Sequence, residues 1–173
     1  MLTDQQVRQF DQAGAVTVDS PLTSQQMSAA ANAYDRLLPF QEPEPGEQAR
    51  YRLGNACQFF DQELLNLIQH PFFEDVAKQV LNAQSAYLYL AAMAHTHPQP
   101  DAEWTFDQHT DVQYCLSDLN ATPKRMVCSF FLWISDLNEK RAPLVLRPGS
   151  HRLIADWRES NPDLRGVTPQ VVG

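Results

Sequence analysis

The sequence predicts an α+β fold in which helices come first and an antiparallel sheet follows. Residues 1–84 carry mainly helical periodicity, with apolar residues spaced three and four positions apart. From Ser85 onward, four strand candidates succeed one another with no helix between them long enough for a parallel crossover. We therefore expect residues 85–173 to form an antiparallel sheet or half of a barrel, and residues 1–173 to form a single domain.

The first two helices are predicted from the residues at their ends. Thr3 and Gln6 form a capping-box pattern, and Gly14 stands where the residue after a helix commonly adopts a left-handed conformation. Thr23 or Ser24 then begins a second helix. Its apolar positions recur at helical spacing, namely Met27, Ala30, Ala31, Tyr34, Leu37 and Leu38.

Two more helices are predicted at 62–68 and 73–81. His70 and Pro71 separate them, because a residue before proline is disfavoured in the helical conformation. The strand candidates are 87–97, 104–115, 126–134 and 144–146. The large aromatic residues Trp104, Phe130, Phe131 and Trp133 are expected in the core.

Composition excludes several classes of protein. The chain has 21 acidic and 13 basic residues, for a net charge of -8, which argues against a nucleic-acid partner because such binding depends on Lys and Arg neutralising phosphates. No segment approaches the roughly 18 apolar residues that a membrane helix needs. The polar N-terminus does not resemble a secretory signal, and three scattered cysteines do not make a disulfide framework. We expect a cytoplasmic protein.

The pattern His109-Thr110-Asp111 is the candidate metal site. Residues i and i+2 of a strand project to the same face, so His109 and Asp111 would offer an imidazole and a carboxylate side by side. One carboxylate and two histidines form the facial triad of non-haem Fe(II) oxygenases. The tripeptide alone is equally compatible with a surface strand whose His and Asp are solvated.

The order of motifs carries a resemblance to a known family. His109-Thr110-Asp111 is followed by the aromatic-rich segment 126–136 and then by Pro148-Gly149-Ser150-His151-Arg152. This order resembles the phytanoyl-CoA dioxygenase family of Fe(II)- and 2-oxoglutarate-dependent oxygenases, and the opening Leu2-Thr3-Asp4-Gln5-Gln6 is similar to that family's usual start. The resemblance covers about residues 1–155. It implies N-terminal helices packed on a double-stranded β-helix, a jelly-roll or cupin-like core.

The resemblance also implies roles for individual residues. His109 and Asp111 match the family's first two iron ligands, and Met93 and Phe131 fall where the family lines its 2-oxoglutarate pocket. His151 matches a histidine that is not an iron ligand in the family. The implied cofactors are Fe(II) and 2-oxoglutarate, and the implied reaction is hydroxylation of a small-molecule substrate by O₂.

The main departure from the family lies after His151. The family's second iron-binding histidine, and an arginine that binds 2-oxoglutarate, lie well downstream of this motif, whereas no histidine follows His151 here. We therefore expect a chain cut before the barrel closes, with a partial β-helix core, weak iron binding and little turnover by residues 1–173.

Two other functions stay open. One is a catalytically inactive half-barrel, whose open sheet edge would allow binding to a partner or formation of a homodimer. The other is a zinc hydrolase with His97, His109 and Asp111 as metal ligands. The sequence does not identify the substrate.

Overall fold

The computed structural model describes residues 1–39, 41, 52–56, 61–96, 127–139, 141 and 143–161. The elements in these residues are, in chain order, α1 (Asp4–Ala13), α2 (Ser24–Leu37), β1 (Arg52–Ala56), α3 (Gln62–Ile68), α4 (Pro71–Leu81), β2 (Ala92–Thr96) and α5 (Ser150–Ser160). The four helices predicted before residue 85 are therefore confirmed.

Local capping explains where α1 and α2 begin. The Thr3 Oγ1 atom accepts a hydrogen bond from the Gln6 amide at 3.3 Å, and Gln6 Oε1 accepts one from the Thr3 amide at 2.9 Å. Thr23 and Gln26 form the same reciprocal pair in front of α2. Because each box satisfies amides that have no partner inside the helix, the start of each helix is set by neighbouring residues alone.

Helices α3 and α4 also begin at polar caps. The Asp61 carboxylate accepts from the amides of Glu63 and Leu64 at 3.0 and 3.4 Å. His70 Nδ1 accepts from the Phe72 amide at 3.3 Å, and Pro71 occupies the first turn of α4. Helix α4 starts before the predicted residue 73, since proline already has a helical φ and needs no amide partner at this position.

The sheet differs from the prediction. Strand β1 pairs with β2 in antiparallel register, with Asn55 opposite Met93. Strand β1 was not predicted from the sequence, because it includes Gly54 and Asn55, two residue types depleted in strands. Strand β2 covers only part of the predicted segment 87–97, because residues 87–90 form no ladder and their side chains are exposed.

Two other predicted strands, 126–134 and 144–146, are wrong where the structure describes them. Residues 127–134 and 144–146 have no strand pairing, and Phe130, Phe131 and Trp133 are 43%, 53% and 42% exposed rather than buried in a core. Extended chain becomes a strand only when a neighbour accepts its hydrogen bonds, which composition does not reveal. The segment 104–115 lies outside the described residues.

Helix α5 is a further difference, since no element was predicted after residue 150. It begins directly after Gly149, whose φ of 82° lies in the left-handed region that favours glycine. The described residues thus show an α+β arrangement with one two-stranded sheet. The jelly-roll core and the single domain over 1–173 stay predictions.

Two apolar clusters hold the helices together. The first, the Met93 cluster, contains Met93 of β2 together with buried residues of the helices. These are Ala30 and Ala33 of α2, Leu38 directly after α2, and Leu64 of α3. The second, the Val76 cluster, contains Leu2 together with Val76 and Val80 of α4. Residues of α1, including Val7 and Phe10, pack around it. Each cluster joins elements that are distant in sequence, so burial of apolar surface stabilises the arrangement.

Polar contacts reinforce both clusters. The Leu2 amide donates to Gln79 Oε1 at 2.8 Å, and Gln79 Nε2 donates to the Leu2 carbonyl at 3.0 Å, which ties the N-terminus to α4. The Arg36 guanidinium pairs with the Asp61 carboxylate and so connects α2 to the cap of α3.

Candidate functional site

The predicted metal ligands lie outside the part of the chain that the structure describes. His109 and Asp111 are not among the described residues, and neither is His97 of the zinc alternative. Within the described ranges, no group of three or more His, Cys, Asp or Glu side chains is placed to hold a metal ion. The assignment of His109 and Asp111 as ligands therefore stays a prediction, whose support is the chemistry of an imidazole and a carboxylate as Fe(II) donors.

Strand β2 precedes these residues in the sequence and carries the first predicted cosubstrate residue. Met93 is 2% exposed, and its side chain packs on the cluster formed by α2 and α3. His95 lies two residues farther along β2 and therefore on the same face, where it is partly exposed. This face of β2 passes from an apolar to a polar side chain just before His97.

Tyr34 connects α2 to the same strand. Burial raises the pKa of the Tyr34 phenol, and a hydrogen bond with the Ala94 backbone offsets part of that rise. The phenol therefore stays protonated at neutral pH. Its ring packs against the Met93 cluster, so α2 supports β2 through both apolar and polar contacts.

The second predicted cosubstrate residue, Phe131, lies in a different environment. Its ring stacks on that of Trp133, with ring centroids 6.4 Å apart and an interplanar angle of 29°. Both rings are about half exposed. The structure therefore places Met93 inside an apolar cluster and Phe131 on an accessible aromatic pair, and the two residues do not share a described cluster.

The other side chains of this segment attach it to the helices. Phe130 meets Phe73 of α4 edge to face, with centroids 5.2 Å apart, and Cys128 packs on the Val76 cluster. Ile134 packs on the Met93 cluster. Positions 128, 130 and 134 thus contact the helices and their clusters, while the rings of Phe131 and Trp133 contact each other. Phe130 is nevertheless as exposed as Trp133.

Cys128 is the cysteine that the structure describes, and it is a free thiol. Burial raises its pKa, so the thiol form predominates at neutral pH. This agrees with a small apolar packing role and not with that of a thiolate ligand.

His151, the motif histidine, contacts α1. Its Nε2 atom lies 3.3 Å from the Asp11 carbonyl oxygen, and the neighbouring Arg152 guanidinium donates to the same oxygen at 2.6 Å. Sequence reasoning missed this contact. The available signal was Gly14 at the end of α1, a glycine whose missing side chain permits the close approach of His151.

Comparison with known proteins gives one match. The sequence model of the phytanoyl-CoA dioxygenase family (PhyH) matches residues 10–165, which is most of the chain. No curated protein and no solved structure shows a match. Among the described residues, no helix has the length and apolar character required to traverse a membrane. Because the family match spans both the helical region and the segment with the predicted metal ligands, the chain belongs to the phytanoyl-CoA dioxygenase family.

Proposed function

We propose that this chain provides part of the site of an Fe(II)- and 2-oxoglutarate-dependent hydroxylase that acts on a small-molecule substrate with O₂. The observation that carries the proposal is the family match over residues 10–165. At the family level, this match supports a cupin-like fold and dioxygenase activity of the Fe(II)/2-oxoglutarate type. The metal, the cosubstrate and the roles of individual residues are the parts that we add.

His109 and Asp111 are the proposed protein ligands of iron. Their imidazole nitrogen and carboxylate oxygen are the donor types that Fe(II) takes in facial-triad oxygenases. Bound Fe(II) together with 2-oxoglutarate would supply the activation of O₂ for hydroxylation of a C–H bond. The task of the chain is to hold the donors in place and to exclude water from the reacting centre.

The described residues support this task in two ways. Helices α2 and α3 pack against the buried Met93 and so hold β2, the strand that ends one residue before His97. Phe131 and Trp133 present an accessible aromatic surface on which the carbon skeleton of a ligand can pack. In this proposal Met93 shapes the cosubstrate pocket from within the core, and Phe131 contacts the ligand directly.

Metal binding tests the assignment of the ligands. We would titrate the anaerobic chain with Fe(II), with and without 2-oxoglutarate, and compare His109→Ala, Asp111→Asn and the control Asp107→Asn. We expect saturable one-to-one binding that is weak, because two proposed ligands lie in these residues and no histidine follows His151. The two ligand variants should weaken binding by about 100-fold or more, since even partners outside the ligand set cost about 10–100-fold. Equal binding by all variants would contradict the assignment.

Turnover is a separate measurement. We expect little 2-oxoglutarate decarboxylation by residues 1–173 alone, since two protein ligands hold the metal weakly. Strong decarboxylation that His109→Ala abolishes would overturn this expectation while supporting the ligand. Stoichiometric zinc that His97→Ala removes would instead favour the hydrolase.

The cosubstrate residues need variants that leave the fold intact. Met93→Leu keeps the volume of the buried side chain, so it should preserve stability to within about 1.5 kcal/mol. In the proposed pocket, Met93→Leu and Phe131→Ala should each weaken the increase in Fe(II) affinity that 2-oxoglutarate produces. Leu146→Ala, at an exposed position, is the control. An unchanged increase in both test variants would remove these two residues from the pocket.

A further inference from the structure

The carbonyl end of α1 ends in a left-handed glycine but lacks a basic side chain in its last turn. A helix ends with four carbonyl groups that have no partner inside it and with a partial negative charge, which basic side chains in the last turn commonly offset. The last turn of α1 contains no basic residue, and Asp11 within it is acidic. The Phe10 carbonyl accepts a local hydrogen bond from the Gly14 amide at 2.8 Å.

The turn in front of α5 contributes partners to this end of α1 from far along the chain. The Gly149 amide donates to the Ala13 carbonyl at 2.8 Å. The Arg152 guanidinium donates to the Asp11 carbonyl at 2.6 Å, and His151 Nε2 lies 3.3 Å from the same oxygen. The turn thus brings donors, one of them cationic, to the negative end of a helix about 140 residues earlier in the sequence.

Gly14 makes this approach sterically feasible. Its φ is 83°, a conformation that side chains rarely adopt, and a Cβ atom at this position would lie 2.5 Å from His151 Nδ1. The positive φ is a property of the end of α1 alone. The close approach depends on the position of His151, so a side chain at residue 14 would conflict with the turn as well as with the backbone.

The side chains that reach α1 in this contact are accessible, in contrast to those of the two apolar clusters, whereas Gly149, Asp11 and Ala13 are half-buried. Gly14, His151 and Arg152 are all exposed, and none of the described side chains of α5 is fully buried. Hydrogen bonds between exposed groups open at much lower free energy than a buried apolar cluster.

We propose that residues 147–152 form a latch that closes on the carbonyl end of α1 and opens without unfolding of either apolar cluster. When the latch is closed, the segment that carries Phe131 is anchored upstream by the contact between Phe130 and Phe73 and downstream by the latch. When the latch opens, the downstream anchor is released together with α5. The inference does not depend on iron or 2-oxoglutarate.

Hydrogen exchange of the full chain tests whether the latch opens separately. We expect Arg152→Ala to accelerate exchange of the Gly149 amide and the first turn of α5 by about tenfold, the effect of losing one charge-assisted hydrogen bond. Amides of α2 and α4 should keep their rates. Arg8→Ala, at an exposed position on α1, is the matched control and should change neither region. Uniform acceleration in α2, α4 and α5, or none in α5, would overturn the proposal.

A double-mutant comparison tests the close approach of His151 to Gly14. Gly14→Ala alone introduces backbone strain and a clash with His151, whereas in the His151→Ala background only the strain remains. We therefore expect Gly14→Ala to accelerate exchange at Gly149 several-fold more when His151 is present. Equal acceleration in both backgrounds would show that residue 14 and the latch are independent, and would overturn the role of Gly14.

Discussion

The described residues of two parts of the chain, 1–96 and 127–161, are built in different ways. In the first, capped helices enclose apolar clusters that contain fully buried residues such as Leu64 and Val80. In the second, large apolar residues stay exposed, among them Phe131 and Leu146 at 53% and 55%. Apolar composition is high in both regions, so composition alone does not decide which of them forms a core.

The difference teaches what each kind of structure needs. A helix satisfies its backbone hydrogen bonds internally, so Thr3 and Gln6 can start α1 by themselves. An extended segment needs a neighbouring strand, and residues 144–146 have none where the structure describes the chain. The first region should therefore resist opening far better than the second, and three experiments test this difference.

The largest expected effect comes from emptying a buried position. Leu64→Ala removes a side chain that is 1% exposed and packed between α2 and β2, so we expect a loss of about 2–5 kcal/mol in the free energy of unfolding. Leu146→Ala, at an exposed position, should change it by about 0.5 kcal/mol or less. Urea denaturation measures both. Equal losses would mean that the second region is covered in solution, and the comparison would fail.

A smaller effect is expected at the cap of α3. The Arg36 guanidinium, followed by the amides of Glu63 and Leu64, holds the pKa of Asp61 below its usual value. A lowered pKa in the folded state adds stability above the unfolded pKa of about 3.9, and this stability is lost as the pH falls through the folded pKa. We expect the thermal midpoint to decrease in the order wild type, Asp61→Asn, Asp61→Ala, because asparagine keeps a capping oxygen but loses the charge.

The pH dependence separates the charge from the cap. The difference between wild type and Asp61→Asn should be full near pH 7 and shrink as the pH falls below about 4. Asp19→Asn, an exposed substitution outside any described helix, serves as the control and should show no such trend. A difference that stays constant with pH would exclude the ion pair with Arg36 as its cause.

The smallest effect concerns reactivity at the boundary of the two regions. Burial raises the pKa of Cys128, which lowers its thiolate fraction at neutral pH. At pH 7.5 we expect iodoacetamide to react more slowly with Cys128 than with the thiol of free glutathione. The ratio of the two alkylation rates should approach unity in urea. Peptide mass spectrometry follows the reaction at this site. Alkylation as fast as that of glutathione in the native state would show that Cys128 is not packed on the Val76 cluster.

The sequence predicted those features that depend on neighbouring residues. The four helices before residue 85, the caps at Thr3 and Thr23, and the break at His70 and Pro71 follow from contacts within a few positions. The family was also recognisable, because the order from His109 to His151 is a property of the chain itself. The assignment of His109 and Asp111 to a metal stays a prediction.

Features that join distant residues were not predictable in the same way. Strand β1 is short and contains glycine, so its own composition does not indicate a strand. It is a strand because it pairs with β2, in the register that sets Asn55 opposite Met93. The dense apolar and aromatic run at 126–134 indicated a strand, yet its described residues form an extended segment held by Phe130 and Ile134. A pattern of side chains indicates which face is apolar but not which partner covers it.

By itself, then, the sequence determined the four helices before residue 85, the caps of the first two and the family to which the chain belongs. The tertiary structure alone decided that Met93 lies inside an apolar cluster while Phe131 lies on an accessible aromatic pair, and that His151 contacts the end of α1. The physical reason is range. A cap or a helical face is complete within a few residues, whereas burial and long-range hydrogen bonds exist only after distant segments have met.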